Sequence, residues 1–193
     1  MDYQEIIDRR RALVIESYKS LADVGFDGPW VTPYQITSKS AEGPVLVALH
    51  WLDEPSILRD RATLQTHGYL PGIRFNAVID AALALRKLSR SDIYVTQTFH
   101  LIPGTRSERI SPAAIRRSFD EVTRFEIQGR RVVALGEVAT GECRRHDFPH
   151  VAVWSSQPAR IHQRAKRGRD RRRDKGSWLL GSLGGPCIGY RIA

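Results

Sequence analysis

Four short runs of apolar and β-branched residues, separated by segments with helical periodicity, constrain this chain more than any other feature. The first, Val45-Leu46-Val47-Ala48-Leu49, is entered from Gly43-Pro44 and left at His50. Ile93-Tyr94-Val95-Thr96, Arg131-Val132-Val133-Ala134-Leu135-Gly136 and Val151-Ala152-Val153-Trp154 follow it. The length and β-branched content of the first run fit a strand buried on both faces. Between the first two runs, Phe75 to Lys87 is rich in Ala and Leu at helical spacing. Strands that alternate with helical segments imply βαβ crossovers. The expected fold class is therefore α/β, a three-layer α/β/α arrangement around a mainly parallel sheet of about four strands. Ligands of such sheets sit beyond the carboxyl ends of the strands. That places the chemistry in residues 50–56, 97–103, 136–139 and 155–160.

The flanking segments divide the chain. From Tyr3 to Val24, Ile6, Ile7, Leu13, Val14, Tyr18 and Leu21 recur at near-helical spacing, which predicts an amphipathic N-terminal helix over residues 1–24 that stops at Gly25. Ser111 is the expected N-cap of a further helix with Pro112 in its first turn, carrying Ile115, Phe119, Val122 and Phe125 on one face as far as Gly129. The α/β domain is expected to span residues 25–160. Residues 161–193 read as a basic, glycine-containing extension. From Arg160 to Lys175 there are nine basic residues against two acidic ones. The whole chain has 193 residues and a net charge of +9, so one domain with a polyanionic partner is the expectation.

No apolar run approaches the roughly 20 residues that a membrane span needs, so no membrane partner is expected. The start, Met1-Asp2-Tyr3-Gln4-Glu5, lacks the positively charged onset and apolar run of a secretory signal, which makes the cytoplasm the expected compartment. Cys143 and Cys187 have no metal-binding spacing, so neither a metal nor another cofactor is expected.

The strand-end segments, VLVALHWLD (45–53), IYVTQTFHLIP (93–103), RVVALGEVA (131–139) and VAVWSSQPAR (151–160), resemble in order and spacing the motif-bearing strand ends of the uracil-DNA glycosylase superfamily. The resemblance covers residues 25–160. It implies a DNA glycosylase, acting as a monomer in base excision repair, that flips a damaged or deaminated base from single- or double-stranded DNA and hydrolyses its N-glycosylic bond. Cutting that bond leaves a cation-like sugar and an anionic base, so the pocket must activate water, stack on the base, read its edge and support its charge.

The resemblance assigns these roles to particular positions, and the chain departs from the family pattern at several. His50 stands where the first motif has its acidic water activator, and Asp53 keeps the later acid of that motif. Trp51 matches the motif and, with Phe75, is a candidate stacking residue. Gln97 falls where an asparagine reads the base, keeping the amide on a longer stem. Ser155, Ser156 and Gln157 replace the HPSP segment and its histidine, with His150 and His162 flanking them. Arg160, Arg164, Lys166 and Arg167 are candidates for DNA phosphate contact. Each of these positions also has a plain reading. His50 then finishes a strand, Asp53 caps a helix or turns the chain, Gln97 bonds to backbone, and Trp51 and Phe75 pack in the core. The replaced residues also fit a protein that binds DNA or a modified base without cutting it. A small-molecule nucleotide hydrolase ranks last, because no phosphate-binding glycine loop or acidic metal cluster is present.

Overall fold

A computed structural model describes residues 2–153. Strands β1 (Val45–Ala48), β2 (Tyr94–Gln97), β3 (Val132–Leu135) and β4 (His150–Val153) form one sheet in the order β2-β1-β3-β4. Every neighbouring pair is parallel, with Val45 opposite Tyr94 on one side and Val132 on the other. These are the four runs marked by β-branched residues, each shifted by no more than one residue at its ends.

Side-chain alternation along the strands builds two layers. Leu46, Val95 and Leu135 face one apolar cluster with Ile57, Leu64, Ile79 and Leu83. Those residues come from α2 (Glu54–Arg59), α3 (Arg61–His67) and α4 (Arg74–Leu85). Val45, Val47, Tyr94, Val132 and Ala134 face another cluster with Phe119, Ile127, Ala139 and Cys143. Its helical members lie on the path from α5 (Pro112–Ser118) through α6 (Arg124–Ile127) to α7 (Glu137–Arg145). The molecule is thus a three-layer α/β/α fold. Ser111 caps α5 as the sequence indicates, its Oγ accepting from the Ala114 amide at 3.2 Å. A π-turn over Phe119–Thr123 then separates α5 from α6.

The N-terminal helix is shorter than its periodicity suggests. α1 runs from Tyr3 to Ala12 and ends at an extended Leu13. Beyond it Leu13, Leu21 and Val24 are buried while Val14 is exposed, so no single helical face accounts for them. The buried Arg10 explains the stop: its guanidinium meets Asp27 Oδ1 at 2.5 Å and donates to the Trp30 carbonyl at 2.8 Å, folding the chain back over α1. Ile6, Ile7 and Leu13 pack with Phe99, Ile115 and Val122, so α1 belongs to the core of the α/β domain and is not an appendage to it.

A buried polar cluster pins β2 to the helical layer. The Glu126 carboxylate accepts from Tyr94 Oη at 2.6 Å, Thr96 Oγ1 at 2.5 Å and Gln35 Nε2 at 2.9 Å. Thr123 Oγ1 donates to the Gln97 carbonyl at 2.7 Å, so its lone pairs are what the His100 Nε2 proton meets at 3.0 Å. His100 therefore carries a proton on Nε2, and burial, which pushes its pKa down to about 3, keeps the ring neutral. Most of the cluster's buried polar groups find partners, but His100 Nδ1 is buried without one.

Candidate functional site

The strand order determines where a ligand can enter. From β1 the chain crosses over one face of the sheet to β2, and from β3 it crosses over the other face to β4. The segments leaving β1 and β3 therefore diverge. In an open parallel sheet this divergence opens a crevice at the carboxyl edge. A cavity of about 310 Å³ lies there, and its lining includes Ala48 at the end of β1, Leu49 just after it, and Leu135 at the end of β3. The volume is at the lower end of the range for small-molecule sites.

The polar lining comes from four stretches of chain. His50 and Asp53 belong to the turn after β1, Ser56 to α2, Asn76 to α4, and Arg106 to the loop after β2. Trp51, Phe75 and Tyr34 supply aromatic walls. The first motif segment and Phe75 therefore line one cavity.

His50 is half-buried, and its Nδ1 is closed to solvent without a hydrogen-bond partner. Burial pushes its pKa below the ordinary value; Asp53 opposes this and Arg106 reinforces it. The imidazole is thus neutral at pH 7. Asp53 occupies the N-cap position of α2, yet its side chain makes no capping hydrogen bond. Its backbone carbonyl alone serves the helix, accepting from the Ile57 amide at 3.1 Å. The carboxylate is left to the cavity.

Trp51 is fixed. Its Nε1 donates to the Gly68 carbonyl at 2.9 Å and its ring packs 5.0 Å from that of Phe26. Gly68 has a φ of 77°, and a Cβ there would stand 2.0 Å from the Pro33 carbonyl oxygen, so the strut that holds the indole requires glycine. Phe75 is half-buried in the first turn of α4, packs against the apolar cluster and turns to the cavity wall.

Gln97 lies elsewhere. It is 1% exposed, its Oε1 accepts from Thr32 Oγ1 at 3.3 Å, and it is not part of the cavity wall. β2 is an edge strand on the far side of β1 from β3, so its end is displaced from the crevice. His150 is also remote: as the first residue of β4 it is paired with Val132 at the amino edge, and its Nδ1 bonds the Phe148 carbonyl. Ser155, Ser156, Gln157, Arg160, Arg164, Lys166, Arg167 and His162 lie outside the described residues.

Asn76, Ser56 and Arg106 were not singled out by motif. Asn76 had a legible signal, because it shares the i, i+3, i+7 face of Ile79 and Leu83 as the one polar residue among them. It is 2% exposed, and its amide is oriented by donation to the Leu70 carbonyl at 3.0 Å and acceptance from Arg90 at 3.3 Å. That leaves one donor and one lone pair for a ligand.

Fold and cavity together define a doubly wound parallel α/β domain with a ligand crevice at its topological switch point. No protein-family model and no curated protein matches the chain.

Proposed function

We propose that the crevice receives a base flipped from DNA and that the protein hydrolyses its N-glycosylic bond, as the resemblance to uracil-DNA glycosylases implies. The observation that carries this reading is the juxtaposition of neutral His50, the uncapped carboxylate of Asp53 and the half-buried Phe75 ring in one cavity at the carboxyl edge. The chemistry follows from those groups. Phe75 offers a face for the base, and Asn76 offers a donor and an acceptor for its edge. His50 takes a proton from water through Nε2, because Nδ1 is sealed. The resulting oxygen bonds to the sugar anomeric carbon as the bond to the base nitrogen breaks. The bonding pair leaves with the base, and Asp53 offsets the positive charge that develops on the sugar.

Single-turnover reactions on oligonucleotides carrying uracil, hypoxanthine or related lesions test this. Abasic product from at least one of them is expected, with a loss of 10²-fold or more in His50→Ala, the scale of a general base. Folded protein that yields no abasic product from any of them sinks the hydrolytic reading.

A second reading is favoured by Gln97, which occupies the base-reader position of the resemblance but bonds Thr32 away from the cavity. On that reading the protein binds an extruded base without cutting it. Salt-sensitive DNA binding that survives His50→Ala, without cleavage, distinguishes it.

A further inference from the structure

Among the described residues that line the crevice, Arg106 is the one arginine or lysine, and it is exposed. The loop that carries it is tied at its base, where the Glu54 amide donates to the Pro103 carbonyl at 3.2 Å beside Asp53. It then closes on itself, with the Glu108 amide donating to the Thr105 carbonyl at 3.1 Å and Glu108 Oε2 accepting from the Gly104 amide at 2.7 Å. Arg106 stands at the turn between them. Asp53 lines the same crevice but forms no ion pair with Arg106 among the described residues, while Glu108 is engaged by that amide, Glu54 by Lys19 at 2.7 Å, and Asp60 by Arg59 at 2.6 Å. An exposed guanidinium on an anchored turn beside a cavity offers a planar, two-pronged donor to a tetrahedral oxyanion.

We propose that Arg106 binds the backbone phosphate flanking the nucleotide whose base enters the crevice, so that the loop after β2 selects an extruded nucleotide over a stacked one. This rests on the DNA-base reading above. The base would lie among Phe75, Asn76 and His50, and the phosphodiester would stay at the mouth where Arg106 stands. The arginine acts on binding and registration and exchanges no proton.

The test uses the full chain and two fluorescein-labelled duplexes, one fully paired and one with a single G·U mismatch, whose bases leave the stack more readily. Affinities are measured from 50 to 200 mM KCl. For Arg106→Gln on the mismatched duplex, the slope of log K against log salt should shrink by about 0.9, the release of one counterion. The paired duplex should show no such change. Arg131→Gln, at the amino edge of the sheet, should leave both slopes as they are. An unchanged slope for Arg106→Gln on the mismatched duplex overturns the proposal, and so does an equal loss on both duplexes, which would mark a generic phosphate contact. If the unaltered protein binds neither duplex, the DNA reading itself fails and the proposal falls with it. That result is distinguishable from the other two.

Discussion

Glu126 and His100 are sealed in the interior with Oε2 and Nε2 3.5 Å apart, and their titrations act on stability with opposite signs. Burial raises the Glu126 pKa from 4.5 to about 7, against the pull of its hydrogen bonds from Thr96, Tyr94 and Gln35. Between those values the folded state holds a proton that the unfolded chain has released, so this group's contribution falls as pH rises. Burial, with Arg10 adding to it, lowers the His100 pKa from 6.5 to about 3. There the unfolded chain carries the extra proton, and stability rises with pH through the window. From about 4.5 to about 6.5 the two effects cancel. His100→Gln removes one of them, so urea midpoints should show wild type gaining on the variant as pH climbs from 3 to 6.5, by at most about 1.4 kcal/mol per pH unit. A difference that stays flat across that range would contradict the neutral assignment of His100. At the crevice the sign argument concerns activity. His50 must be neutral to act, and its pKa lies below the ordinary 6.5. Turnover should therefore hold at pH 7 and fall only as pH drops below about 6.5. Arg106→Gln removes a like charge and should move that acid limb to higher pH, which a pH–rate profile would show. The first-motif residues could be placed beside the cavity from sequence because they follow a strand's carboxyl end. Arg106 was not, because an arginine in a polar loop carries no periodic or motif signal until the loop is placed.

Among the elements, the strands were the most legible, since short apolar runs rich in β-branched residues leave little choice of local structure. The Ser111-Pro112 start of α5 was equally plain, and Ser111→Ala should cost about 0.5–2 kcal/mol in chemical denaturation through loss of the bond to the Ala114 amide. α2 and α3 were hidden in the segment between His50 and Phe75. With six and seven residues they are too short to show two turns of periodicity, and packing of Ile57 and Leu64 holds them in place. α1 was overread for the opposite reason: Leu13, Leu21 and Val24 mimic helical spacing but are buried one by one along a folded-back segment. The Gly68 turn that ends α3 also supports Trp51. Gly68→Ala forces a side chain into a positive φ and against Pro33, so it should destabilise by more than about 1 kcal/mol. It should also weaken crevice function by releasing the indole. A variant with unchanged thermal midpoint and unchanged binding would refute that strut role.

At the scale of the whole molecule, the class of fold follows from alternating strands and helices, but the order β2-β1-β3-β4 does not. Order depends on which face each crossover takes, and the alternation of strands and helices does not fix that. The cavity was therefore only half legible. His50, Asp53, Trp51 and Phe75 line one cavity, whereas the edge position of β2 carries Gln97 away from them, and Asn76 and Arg106 join the wall. No helix among the described residues is long and apolar enough to cross a membrane. The central claim is that a nucleotide base enters the β1/β3 crevice, and the most direct measurement is a crystal structure of His50→Ala bound to a duplex with one G·U mismatch. The account predicts the uracil ring extruded against Phe75, with its edge toward Asn76 and its flanking phosphate at Arg106. A bound duplex with every base stacked and the crevice unoccupied would contradict it.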